Sequence, residues 1–475
     1  MGNDSKRKQY DATGRMEKTV DEEFMDSFGG GAFRDKARQQ REDRESMAEQ
    51  LTVRQTEEFQ SHTSGFEAWM RSRGDSVKTF TADNAAEQFG VVKSSYEAVP
   101  LPSIRAYQAR VKQVGKPAKE SLELVCEPIP QALEWGEVLV SVRAAPVNPA
   151  DLFDVKTGGN VGGDPLKTPF IGGNDGVGVI VKVSFLPFPS FPTPPGEAVT
   201  ADPPPPPLDD QVGPGVKNLQ ENDWVLPFVP HLGTWRSLAV LREKDTLKIP
   251  VDLMPIEYAA MSRELCVAYR LLEDHGDLKP GDTVILNSAN STVGQVVIQL
   301  CHLLKLRSVA VVRDLGSMDK VGPWLKTLGA SEVLADTGSL KKELEKNKYF
   351  AKPKLGLDCV GGQSAVRLAD TLDDSAPLVI YGCMSGRAPS WPWSQWVFKQ
   401  MQVRGFNLRK WMKSNKKKIP AMMESIAKLV NADKLRVTHT EYELGTEFDE
   451  ALDHAMEEGR STKILLKVKD IGVTY

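Results

Sequence analysis

One segment constrains the fold more than any other: DTVILNSANSTVGQVVIQL, residues 282–300. Its short apolar run reads as a strand buried on both faces, of the kind found in parallel sheets. Small polar residues follow as a tight turn, and the periodicity then becomes helical from about Thr292. A helix that opens at such a turn points unpaired N–H groups and the positive end of its dipole at whatever binds there, most simply a pyrophosphate. Gly294 allows helix and strand to pack closely. A single glycine is a weaker pattern than G-x-G-x-x-G, and the strand–turn–helix context supplies what the bare pattern lacks. Thr292, Val293, Gly294 and Gln295 are therefore candidate cofactor-binding residues. The next apolar run, SVAVVRD, ends in Arg313, nineteen residues after Gly294. A lone acid at that tip would suit the ribose hydroxyls of NAD, and an arginine suits the 2′-phosphate of NADP. Asp314 stands beside it, and a strand-end arginine in water is the competing reading.

Around this unit the chain changes texture several times. Short alternating strands begin near residue 104 (IRAYQARV, SLELVCEPIP, GEVLVSVRAAPVN) and resume at NDWVLPFVP. Between them, FLPFPSFPTPPGEAVTADPPPPP is too rich in proline for a sheet interior. It reads as an extended surface insertion over 185–215, with a ligand for a proline-recognition module as the sharper alternative. From Pro255 helices appear, then strand and helix alternate through PLVIYG. The end of the chain returns to a helix, DEALDHAMEEG, and a strand, KILLKV. The expected architecture is α/β. A β-rich domain (101–255 and 416–475) is split around an inserted doubly wound dinucleotide-binding domain (256–415). Residues 1–100 precede them as a densely charged extension, read either as partly disordered or as an arm that folds on a partner.

The bulk numbers close off other classes. A formal net charge of −4 with no long basic block argues against a nucleic-acid partner. No apolar stretch approaches the roughly 18 residues that span a bilayer. The five cysteines form no C-x-x-C pair and lie more than twenty residues apart, against a disulfide framework or a cysteine zinc site. The first residues carry no apolar core and so do not read as a secretory signal, and their acids make a poor organellar transit peptide.

Collinear strings carry a family resemblance: AAPVNPADLF (144–153), GGNDGVG (172–178), LGTWR (232–236), CVAYRLL (266–272), NSANSTVGQVVIQL (287–300), VVRD (311–314), DCVGG (358–362), YGCMSG (381–386) and FKQMQVRGFNLRKW (398–411). The chain from about 104 onward resembles the zinc-free medium-chain reductases known as mitochondrial trans-2-enoyl-CoA/acyl-carrier-protein reductases. The resemblance implies a GroES-like substrate domain with a Rossmann insertion, no metal, NADPH as cofactor and an enoyl thioester as substrate. It also implies a mitochondrial location and a homodimer joined through the nucleotide domains. Asn148 would lie near the nicotinamide. Besides the residues named above, Tyr381, Gly382, Cys383, Met384, Phe406, Asn407, Leu408 and Lys463 fall on cofactor-contacting positions.

Several positions depart from the family pattern. The catalytic tyrosine position reads Val161, which has no proton to give. Glu264 replaces a cofactor-binding asparagine, with Arg263 as its expected partner. Asn407 replaces a pocket tryptophan, Thr292 a glycine, and Leu315 a second phosphate-binding arginine. Two readings of different class follow: a working enoyl-thioester reductase with substituted groups, or a catalytically impaired homologue serving as an accessory subunit through residues 1–100. A reductase of another activated alkene is a third.

Overall fold

In the computed structural model the described residues are 105–130, 132–159, 166–181, 215–347 and 350–468, together with Val20 and the short strand Val99–Pro100. Val161, nearly all of the charged extension and nearly all of the proline-rich insertion lie outside them.

The first domain opens with β1 (Arg105–Val111) and β2 (Leu122–Pro128), which pair antiparallel. β3 (Glu137–Pro146) is the central strand of a larger sheet. Helix α1 (Pro149–Thr157) follows at once. Proline at its first position costs no hydrogen bond and presets the backbone, and Asn148 N donates to Asp151 Oδ2 at 2.8 Å. The helix ends at Gly158, left-handed at φ 74°, a conformation glycine takes without penalty. Four more strands of this part join the larger sheet: β4 (Val177–Ile180), β5 (Trp224–Pro227), β6 (Leu238–Arg242) and β7 (Thr246–Ile249).

Helix α2 (Ser262–His275) leads into the second domain. Its Leu265, Ala268, Leu271 and Leu272 are buried, the i, i+3, i+6, i+7 spacing of one apolar face. Strands and helices then alternate: β8 (Thr283–Leu286), α3 (Thr292–Leu303), β9 (Arg307–Val312), α4 (Leu315–Thr327), β10 (Glu332–Ala335), β11 (Leu355–Asp358), α5 (Gly362–Thr371), β12 (Pro377–Ile380) and β13 (Gln402–Gly405). The six strands form one parallel sheet in the order β10-β9-β8-β11-β12-β13. Ranked by position in the chain this is 3-2-1-4-5-6, the dinucleotide-binding order, with its reversal point between β8 and β11. β8 and β11 are buried at every position, the physical reason their sequences read as continuous apolar runs.

After α6 (Leu408–Ser414), helix α7 (Ile419–Asn431) packs against α2. The chain then re-enters the first sheet through β14 (His439–Glu443), α8 (Phe448–Met456) and β15 (Lys463–Lys467). That sheet reads β7-β5-β4-β3-β15-β14, with β6 also on β3. Phe448, Ala451, Leu452 and Ala455 face its core, where Phe448 meets Trp235 edge-on. Trp235 is fully buried and donates its indole N–H to Pro146 O at 3.1 Å. Each large apolar side chain buried here contributes about 1.5–3 kcal/mol.

Candidate functional site: a sheet reversal point beside a buried ion pair

Two loops meet at the reversal point of the parallel sheet. Asn287, one residue past β8, donates to Asp358 Oδ1 (2.5 Å) and Ser364 Oγ (2.9 Å), and its Oδ1 accepts from Cys359 N (3.0 Å). This pins the β8 and β11 loops together. Ser291 caps α3, its hydroxyl accepting from Gly294 N at 3.2 Å. Thr292 and Val293 form the open first turn, where unpaired N–H groups gather. Gly294 passes so close to the loop that a Cβ would come within 2.6 Å of Ala289 O.

Gln295 turns inward. It is buried, and its amide donates to Asn290 O (2.8 Å) and Ser461 O (2.7 Å). Asn290 in turn donates to Arg460 O at 2.9 Å. The segment entering β15 is thereby strapped across the start of α3.

The remaining expected cofactor residues gather on the same side of the sheet. Tyr381 N donates to Asp358 O (2.9 Å), and burial pushes the Tyr381 phenol well above its ordinary pKa. Gly382 packs on Cys359, Cys383 is exposed, and Met384 N donates to Cys359 O at 2.8 Å. Phe406 N donates to Ile380 O (2.9 Å) and its ring meets His275 edge-on. Asn407 caps α6 through Oδ1, accepting from Lys410 N at 3.0 Å, and Leu408 is buried behind it. The asparagine in the tryptophan position thus serves its own helix.

Arg313 lies at the tip of β9 and pairs with Glu458 at 2.6 Å. Asp314 does not compete for the same ligand. Its carboxylate caps α4, accepting from Ser317 N at 2.7 Å, and that hydrogen bond holds it below the usual range. Leu315 is exposed. The nearby Arg460 carries a buried Nη1 with no hydrogen-bond partner. An orphaned guanidinium nitrogen on a residue whose backbone the 287–291 loop holds fits an anionic ligand.

Strand register decides the other wall. β15 runs antiparallel to β3 with Leu465 opposite Pro146, and Val147 N donates to Ile464 O at 3.0 Å. One further step sets Lys463 against Asn148, although 315 residues separate them. The Lys463 ammonium donates to Asn148 Oδ1 and to Glu264 Oε1, the latter at 2.7 Å. Both charged side chains are over nine-tenths buried. Arg263 is not the partner of Glu264, contrary to expectation. Neighbours on a helix point about 100° apart, and Arg263 Nη1 reaches Asp175 Oδ2 at 2.9 Å.

Asp175 is the anchor of this wall. It also accepts from Arg409 Nη2 (3.0 Å) and Asn148 Nδ2 (3.0 Å). Burial is the largest influence on its carboxyl and pushes upward, yet Arg263, Arg409 and Lys463 together hold it low. Asp175, Arg409 and Arg460 escaped the sequence reading. Asp175 lies inside GGNDGVG, where an acid between glycines was the available signal.

Asp151 behaves oppositely: burial, then the charge of Asp175, pushes its carboxyl up to about 7. Because the folded value lies above the unfolded one, this group's contribution is complete at acid pH. It is lost as pH rises through about 7. The melting temperature of the chain minus that of Asp151→Asn should therefore fall between pH 5 and pH 8, and a constant difference would contradict the burial argument.

Comparison with known proteins places this geometry. Residues 134–251 match the alcohol dehydrogenase GroES-like domain. The mouse protein named enoyl-(acyl-carrier-protein) reductase, mitochondrial, is 36% identical over 331 residues, 69% of this chain and 78% of its own length. The chain belongs to the mitochondrial enoyl-(acyl-carrier-protein) reductase family. The Dictyostelium discoideum protein of that name is 32% identical over 76% of this chain and 94% of its own. Among solved structures, the mitochondrial 2-enoyl thioester reductase Etr1p/Etr2p heterodimer of Candida tropicalis superimposes with a TM-score of 0.61 at 25% identity. The match covers 77% of this chain and all of that one. In this family member Thr157, the nearest threonine to the Asn148 turn in its helix, spends its hydroxyl on Phe153 O at 2.8 Å.

Proposed function

We propose that this family member reduces the 2,3 double bond of trans-2-enoyl thioesters with NADPH, in the mitochondrion as the names of its relatives indicate. The observation that carries the proposal is the meeting of Asn148 and Lys463 beside the reversal-point crevice. It sets buried polar side chains two residues from Ser461, whose carbonyl Gln295 of the reversal-point helix holds. The residues fit an NADP-type cofactor. The first turn of α3 suits the pyrophosphate, and Arg313 with Arg460 suits further phosphate charge. When bound, that cofactor supplies hydride.

The chain's own residues do the rest. Lys463 and Asn148 offer buried polar groups beside the crevice, where positive charge stabilises negative charge developing on a thioester oxygen. Glu264, Asp175, Arg263 and Arg409 keep that wall rigid through ion pairs. Among the described residues no His/Cys/Asp/Glu cluster suited to a metal exists, and none is called on.

The direct test is the full chain with crotonyl-CoA and NADPH. Turnover of about 1–10³ s⁻¹ is expected. A chain that binds NADPH and leaves crotonyl-CoA unchanged would overturn this reading.

The phosphate assignment has its own test. Arg313→Ala and Arg460→Met should each weaken NADPH binding about tenfold, the loss of one charge-assisted hydrogen bond. Fluorescence titration reads it, and NADH should be affected less than NADPH by Arg313→Ala.

A second copy of the chain is the proposed partner. β13 is an edge strand of the parallel sheet. The segment before it exposes Trp393, Trp396, Val397 and Phe398, an apolar patch of the kind that marks interfaces.

A further inference from the structure

Enoyl reduction needs a proton at C2 as well as hydride at C3, so some group in the cleft must carry an exchangeable proton. The side chains facing the Asn148 turn narrow the choice. A carboxamide does not release its protons at working pH, and Asn148 Nδ2 donates to Asp175 Oδ2. Thr157 is bound to its own helix. Arg263 and Arg409 are locked on Asp175, and a guanidinium does not release its proton at working pH. Asp151 Oδ2 accepts from Asn148 N and its Oδ1 from Asn174 Nδ2, so both its oxygens are committed to holding the turn.

Lys463 remains. Its ammonium has three hydrogens. Two are directed at Asn148 Oδ1 and Glu264 Oε1, and the third has no acceptor among the described residues. The Glu264 carboxylate lies 2.7 Å from the Lys463 nitrogen, and both side chains are over nine-tenths buried. Glu264 Oε2 is itself buried without a hydrogen-bond partner. The pair is therefore satisfied on one side only: one free N–H and one free carboxylate oxygen remain in a dry wall. A purely structural ion pair would be expected to satisfy both.

We propose that Lys463 is the proton donor of the reduction, with Glu264 and Asn148 as its positioning residues. The assignment rests on the reductase reading above. Hydride from NADPH forms the C3–H bond with both its electrons, and the π electrons move towards the thioester oxygen. As the enolate collapses, the Nζ–H bond of Lys463 breaks and the C2–H bond forms. The neutral amine then regains a proton from solvent, and the thioester and NADP leave the balance closed.

The test uses the full chain and Lys463→Ala with added small amines. Turnover of crotonyl-CoA should drop about 100-fold or more in the variant. Ethylamine should restore at least about tenfold of it, and across a series of protonated amines the restored rate should rise as the ammonium becomes more acidic. Tetramethylammonium, which brings charge but no proton, should restore nothing. NADPH fluorescence titration runs alongside, so lost binding is not mistaken for lost chemistry. Should Lys463→Ala fail to fold, the pair Lys463→Met with Glu264→Gln removes both charges while keeping volume, and at saturating NADPH it should turn over as slowly. Turnover by either variant within about threefold of the wild type overturns the inference, as does equal rescue by tetramethylammonium. Lack of turnover by the wild type with NADPH bound instead overturns the reductase reading itself.

Discussion

Gly294→Ala should weaken NADPH binding by up to about 100-fold while leaving most of the fold in place. The added methyl would lie 2.6 Å from Ala289 O and 2.8 Å from Ala289 C and Cα. These are backbone atoms, so no rotamer change relieves the clash. Either the 287–291 loop or the start of α3 must move. Movement breaks the Ser291 cap on Gly294 N and misaligns the N–H groups that would meet the pyrophosphate. Overpacking of this kind costs about 1–3 kcal/mol. Spent wholly on the binding-competent loop, the upper figure corresponds to about a 100-fold loss of affinity. Fluorescence titration checks it, with circular dichroism to confirm that the parallel sheet persists. Affinity within threefold of the wild type would show that the loop tolerates the shift and that the close approach is incidental.

The second large effect concerns stability. Glu264→Ala should destabilise the chain by about 3–5 kcal/mol, since it strands the Lys463 ammonium in a buried site with only Asn148 Oδ1 to meet it. Urea unfolding of the wild type and variant reads the change. The companion double variant, Glu264→Leu with Lys463→Met, removes both charges and replaces them with apolar volume. It should recover most of the loss, because buried ion pairs roughly break even against hydrophobic isosteres. If the single variant unfolds like the wild type, Lys463 has another acceptor and the pair is not what holds it. A double variant no better than the single one would place the cost in packing.

The parallel sheet was legible because its signal is local. β8, β11 and the helix opening at Thr292 each show their burial in a handful of consecutive residues. The same holds for the capped start of α1, where Asn148, Pro149 and Asp151 cooperate within four positions. Arg313 was legible as a strand-tip cation for the same reason, and its neighbour Asp314 resolved into a helix cap once α4 was in view.

The ion pairing was not legible. Glu264 and Arg263 are adjacent in sequence, which made them look like partners. Helical geometry sends them to different partners in the same wall, one to Lys463 and one to Asp175. The Asn407 position shows the same limit: a residue read as pocket wall is occupied in capping its own helix.

By itself the sequence determined which elements form, the alternation that yields a doubly wound sheet, and the strand–turn–helix loop at its reversal point. Short-range periodicity and turn chemistry suffice for these, because each depends on residues a few positions apart. Only the tertiary structure decided which charges meet. The antiparallel register of β15 on β3 carries Lys463 to Asn148 across 315 residues. A buried charge must then take the partner that packing brings to it, since water is not there to serve instead.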